Sequence, residues 1–192
     1  MPITIAGSGT ITGLSAGGLP DGSIQAADLA SGVGGKILQV VQSAKLDHFD
    51  TASTTYVDVT GTDHAGSGSV WCAKITPAAT SSKVLVTVSL ACSCADSGQI
   101  RLLRGSTVIY KGTESLGDAD RNCAGGLRLE STGDFISLGF SYLDSPSSAS
   151  EQTYKIQVMT DNASASNFSV NRRETGTEFS FASSLMLQEV SA

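Results

Sequence analysis

The sequence predicts an all-β protein: an antiparallel sandwich or jelly roll behind a glycine-rich, mostly non-regular N-terminal segment. Three observations carry that reading. Val84, Val86, Val88, Leu90, Cys92 and Cys94 share one parity while Thr87, Ser89 and Ser93 take the other, the period of two of a half-buried strand. Short runs of this kind recur along the chain, separated by polar turns rich in Gly or Ser such as 63–69 and 144–150. After residue 36 no helix-period stretch of a dozen or more residues appears, and strands do not alternate with helices as in Rossmann or barrel enzymes.

Residues 1–35 stand apart. They hold nine glycines and no Lys, Arg or aromatic residue. A segment so poor in large apolar groups cannot offset its own ordering entropy. It still carries Ile3, Ile5, Ile11, Leu14, Leu19, Ile24, Leu29 and Val33. Leu19-Pro20-Asp21-Gly22-Ser23 is a turn signal, since Pro fixes φ and Gly accepts positive φ. Ser23 would cap a short helix from Ile24 to Leu29 that Gly32 ends. The segment reads as an anchor that orders against partner subunits, with Leu14, Leu19, Pro20, Asp21, Gly22, Ile24 and Leu29 as its contact residues.

Residues 36–192 are the predicted globular head. Its expected strands are Ile37 to Ala44, Thr54 to Thr60, Val70 to Ile75, Val84 to Cys94, Ile100 to Arg104 and Thr107 to Tyr110. They continue with Ile136 to Tyr142, Tyr154 to Val158 and Phe168 to Asn171. In the last, Phe179, Phe181, Leu185 and Leu187 keep one parity. That makes nine or ten strands in all.

Composition narrows the function. Of 192 residues, 40% are hydrophobic and 16% charged, too apolar for a disordered chain. Twelve Lys and Arg against eighteen Asp and Glu leave a net charge of −6, which disfavours nucleic acid and anionic membranes as partners. No run of about 18 apolar residues predicts a membrane span. Met1 to Thr10 lack the charge and apolar block of a secretory signal, so synthesis in the cytoplasm and reduced thiols are expected. Cys72, Cys92, Cys94 and Cys123 lack zinc spacing and read mainly as small buried apolar residues.

Catalytic patterns do not emerge, and no cofactor is expected. There is no phosphate-binding glycine loop and no nucleophile elbow. His48 beside Asp47 and Asp50, and His64 after Asp63, read as surface pairs rather than a general base or metal ligand. Asp118-Ala-Asp120 lacks the series of oxygens a calcium loop needs. The two sequons at Asn162 and Asn167 read as chance matches without secretory routing. Trp71 reads as core. Tyr56 and Tyr110, as aromatic surface, and Arg172-Arg173, as a loop pair able to meet acidic glycans or carboxylates, are the candidate surface-binding residues.

The stretch Leu19-Pro-Asp-Gly-Ser-Ile-Gln-Ala-Ala-Asp-Leu-Ala30 resembles the N-terminal motif of short fibre-like virion proteins from tailed bacteriophages of the marine and cyanophage type. Gly35-Lys-Ile-Leu-Gln-Val-Val-Gln42 is similar to the first strand of their globular domain. Tyr56-Val-Asp-Val-Thr-Gly61, Ser81-Ser-Lys-Val-Leu-Val86, Ile100-Arg-Leu-Leu-Arg-Gly-Ser106, Phe140-Ser-Tyr-Leu-Asp-Ser-Pro146 and Thr153-Tyr-Lys-Ile-Gln-Val158 continue the likeness in order. The resemblance implies a homotrimeric fibre or knob at the virion surface. Residues 1–35 would attach it to a tail hub, adaptor or capsid, and the head would meet a host-surface glycan or protein. The chain is short for a long tail fibre, which favours a head fibre, a short tail fibre or a knob. The alternatives are a capsid-decoration or tail-assembly protein without receptor binding and, remotely, a glycan depolymerase.

Overall fold

The computed structural model describes residues 4–5, 11–12, 36–61, 69–113, 122–162, 167–173 and 179–191. The chain divides into two compact units, Met1–Lys36 and Ile37–Ala192. In the first, β1 (Thr4–Ile5) and β2 (Ile11–Thr12) pair antiparallel. The anchor positions Leu14, Leu19, Pro20, Asp21, Gly22, Ile24 and Leu29, and the expected helix from Ile24 to Leu29, lie outside the described residues.

The second unit is built only of strands among its described residues. In chain order they are β3 (Ile37–Lys45), β4 (Phe49–Thr51), β5 (Val57–Asp58), β6 (Thr60–Gly61), β7 (Ser69–Val70), β8 (Cys72–Ile75) and β9 (Lys83–Ser93). β10 (Ser97–Arg104), β11 (Thr107–Tyr110), β12 (Gly125–Arg128), β13 (Ile136–Asp144), β14 (Gln152–Thr160), β15 (Phe168–Val170) and β16 (Ser183–Val190) follow. All their pairings are antiparallel.

Two six-stranded sheets form the sandwich. One runs β11-β10-β14-β5, with β12 also on β10 and β8 also on β14. The other runs β3-β16-β9-β15-β4, with β13 also on β9. The alternation read from the sequence decides which faces meet. Val84, Val86, Val88 and Leu90 of β9 and Leu185 and Leu187 of β16 are buried against Ile100 and Leu102 of β10 and Tyr154, Ile156 and Val158 of β14. Each such side chain contributes roughly 1.5–3 kcal/mol by leaving water. Trp71 is wholly buried in this core, with no hydrogen-bond partner for its Nε1.

The sheets are also tied by polar groups. Asp144, closing β13, accepts from Arg104 Nη1 at 2.6 Å and from the Tyr154 hydroxyl at 2.8 Å. Burial, then the hydrogen bond to and charge of Asp144, raise the Tyr154 phenol above its ordinary pKa. Across the other edge, buried Glu189 accepts from Gln39 Nε2 (2.6 Å) and the Ala78 amide (2.7 Å). Burial alone would raise its carboxyl. Hydrogen bonds from Gln39, Ser82 and Ala78 outweigh that and hold it below 4.5.

The structure departs from the expected strands in three places. Thr54 to Thr60 is not one strand, because the chain changes partner at Val59: β5 pairs with β14, whereas β6 pairs with β7. The Val59 amide donates to Ile156 O and Val59 O accepts from Trp71 N, so one buried residue serves both sides. Val70 to Ile75 is divided between β7 and β8 by the same switch. Phe179 and Phe181 precede β16 and form part of an aromatic cluster outside the strand. Cys92 and Cys94 are fully buried, Cys72 and Cys123 partly so, and all four are free thiols.

Candidate functional site

One end of the second sheet carries a recess bounded by the β3–β4 link, by Asn171 and Arg172 after β15 and by Phe179 and Ser180 ahead of β16. Asn171 ties these together. It follows β15 with φ of 63°, a left-handed conformation that Asn tolerates better than most residues. Its Nδ2 donates to Lys45 O (2.8 Å) and Asp47 O (2.9 Å), and its Oδ1 accepts from Ser183 Oγ (2.6 Å). Its backbone amide donates to Ala91 O, and its carbonyl accepts from Phe181 N. The side chain thus ties the end of β3 to the start of β16, and the backbone of the same residue ties β9 to the approach to β16.

Below it, the fully buried Lys45 ammonium donates to Asp47 Oδ1 at 2.7 Å and Thr60 O at 2.6 Å. Gly61 leaves room for this pair: a Cβ there would stand 2.6 Å from Lys45 Nζ and 2.9 Å from Asp47 Oδ1, so either would have to shift. Isolated burial of an ammonium is costly, and the hydrogen bonds to the carboxylate and the carbonyl offset that cost.

On that frame sits a cleft of about 290 Å³ lined by Leu46, Asp47, His48, Asn171, Arg172, Phe179 and Ser180. Its rim is unusually bare. Leu46 is 69% exposed, Phe179 49%, and the His48 side chain 61%. Arg172 Nε donates to Asp50 Oδ1 at 2.9 Å, and His48 Nε2 lies 3.9 Å from the other oxygen of the same carboxylate. Phe179 continues into an aromatic group: Phe181 lies nearly parallel to it at 6.2 Å, and Phe135 packs 4.3 Å from Phe181. The Arg173 guanidinium lies 5.5 Å from the Phe179 ring centre. It passes so close to Gly133 that a Cβ there would meet Nη2 at 2.5 Å. The recess offers a ring face, an aliphatic rim and guanidinium donors, a combination suited to stacking on a ring while meeting acceptor groups.

The sequence-predicted surface residues divide between this cleft and elsewhere. Arg172 lines it, and Arg173 lies beside it against the Phe179 ring. Tyr56 does not. Arg101 stacks over its ring at 3.9 Å, and its hydroxyl donates to Gln99 Oε1 (3.2 Å) and Asn122 O (3.3 Å). Burial above all pushes its phenol up to about 12. Tyr110 stacks on Tyr142 at 4.9 Å and packs against Phe140. Both tyrosines are half-buried in contacts within the chain. His48 stands at the cleft rim, whereas His64, Asp118 and Asp120 lie outside the described residues.

Sequence reasoning missed Leu46, Phe135, Phe179 and Asn171. The available signal was an Asn-Arg-Arg run leaving a strand, followed by Phe-x-Phe ahead of the next one. A second, wider recess of about 450 Å³ is lined by Ala95, Arg128, Leu129 and Glu130 and brings no aromatic side chain to its lining. Among the described residues no group of three or more His, Cys, Asp or Glu is placed to hold a metal ion. Nor is any helix there long and apolar enough to cross a membrane. No family model and no curated protein matches the chain.

Proposed function

We propose that this chain is a non-enzymatic virion protein of a tailed phage. It acts as a homotrimeric fibre or knob attached to the particle by residues 1–35, and its head binds a glycan or protein receptor of the host surface. The observation that carries the receptor-binding part is the cleft beside Asn171. Three exposed side chains, Leu46, His48 and Phe179, surround it, while the Asn171 and Lys45 networks hold its walls. Exposed aromatics on a rigid frame bind at little ordering cost, and three copies on one particle turn weak sites into firm attachment.

The sequence resemblance supplies the phage assignment, and the all-strand head agrees with the fold that it implies. The test is binding of fluorescently labelled full chain to candidate host cells, together with immunolocalisation on particles. Saturable cell binding and a position at a fibre or knob are expected. Particle localisation without cell binding would replace the receptor role by decoration or assembly. A chain found on no particle would overturn the proposal.

A further inference from the structure

The cleft beside Asn171 has a polar corner whose hydrogen-bonding capacity is only partly used. Arg172 gives its Nε to Asp50 Oδ1 at 2.9 Å, and among the described residues its two terminal amino groups make no hydrogen bond. The second oxygen of the same carboxylate, Asp50 Oδ2, stands 3.9 Å from His48 Nε2. That separation is too long for a hydrogen bond between the two, and it suits one further oxygen atom placed about 2.8 Å from each. Phe179 brings a half-exposed ring to the same cleft, and Leu46 an exposed aliphatic side chain.

We infer that the cleft takes a neutral sugar ring of a host-surface glycan. The inference deepens the receptor role proposed above and rests on it. Size favours a glycan over a protein. At about 290 Å³ the cleft lies at the small end of the range for sites that enclose a small molecule, whereas a specific protein interface asks for about 800 Å² of surface per partner. The polar corner favours a hydroxyl. An oxygen between His48 and Asp50 has to donate to the carboxylate while accepting from the imidazole or from the Arg172 amino groups, and an alcohol does both. A carboxylate or sulfate oxygen only accepts, so it would set its own charge against that of Asp50.

The charges that line the cleft cancel as well, Arg172 against Asp50 and Asp47 against the buried Lys45. Arg173 lies beside the cleft, against the Phe179 ring, rather than in its lining. The chain as a whole carries a net charge of −6, which repels an acidic polymer before it arrives. The apolar part of the cleft fits the same ligand. A sugar ring turns C–H bonds outward from its faces, and these meet the electron-rich face of a ring such as Phe179, with the hydroxyls on the sugar's edge left to the polar corner.

The test is titration of the full chain, followed by saturation-transfer NMR, with the methyl glycosides of glucose, galactose and mannose and of their three uronic acids. At least one neutral glycoside should bind, at least tenfold tighter than the acid of the same ring, and Phe179→Ala should weaken it at least tenfold. Asp50→Asn should narrow the preference for the neutral sugar at least fivefold, because an amide no longer repels the acid. If Asp50→Asn melts early, His48→Ala on the exposed rim must weaken the neutral glycoside instead. An acid that binds as tightly as its neutral counterpart would overturn the neutral class and leave the cleft standing as the receptor site. Equal binding of the neutral glycoside by wild type and Phe179→Ala would move the sugar out of the cleft and overturn the inference. Binding by none of the six would overturn the sugar itself, and host-cell binding by Phe179→Ala would then separate a protein receptor in the cleft from a receptor held elsewhere.

Discussion

Asp144 serves two partners at once, Arg104 and Tyr154, and its side chain is only 7% exposed. Replacing it by Ala strands a guanidinium and a buried hydroxyl, and Asp144→Ala is expected to cost about 2–4 kcal/mol in urea unfolding. Glu189 makes stability depend on acid. Its folded pKa lies below 4.5, so its contribution is fully present above that pH and is lost as pH falls through the folded value. Melting of wild type should therefore fall more steeply below pH 4.5 than melting of Glu189→Gln; parallel curves would remove the carboxylate from this role. Burial, with Cys94 nearby, pushes the Cys92 thiol up to about 12, so a thiol reagent should label Cys72 and Cys123 in the native protein and Cys92 and Cys94 only in denaturant. The burial of Trp71, Cys92 and Cys94 was legible because composition and parity speak for single residues. Asp144, Glu189 and Lys45 were not, because their partners come from other strands and only the fold brings them together.

At the scale of elements, β9 was legible almost to its ends, since eleven residues keep one buried parity over most of their length. Val86 lies between Tyr142 and Leu187 in the register and has no exposed surface. A carboxylate there would be buried without a partner, and Val86→Asp should abolish cooperative melting. A variant melting like wild type would mean the parity is reversed. Where strands are short and change partners the sequence signal fails: Val59 divides one apparent strand into β5 and β6, and glycine-rich β12 has only Leu127 facing the core. The cleft was half legible for the same reason. Arg172 and Arg173 announce themselves as an adjacent pair, but Leu46 and Phe179 reach them only through Asn171, whose bonds span 126 and 124 residues. Asn171→Ala should loosen both cleft walls, lowering stability by about 2–3 kcal/mol and weakening any ligand held there.

The whole chain divides into Met1–Lys36 and Ile37–Ala192, and the larger unit holds its own two-sheet core. Deleting residues 1–35 should leave a head that melts cooperatively yet no longer joins particles. Normal incorporation of the truncated protein would place the anchor elsewhere. The most direct test of the function is a paired titration of host cells with labelled wild type and Phe179→Ala. Phe179 is half exposed and lies outside the strands, so its loss should spare the fold. Wild type should bind saturably, and Phe179→Ala should bind at least tenfold more weakly at an unchanged melting temperature. Equal binding by the two proteins would rule out the cleft as the receptor site.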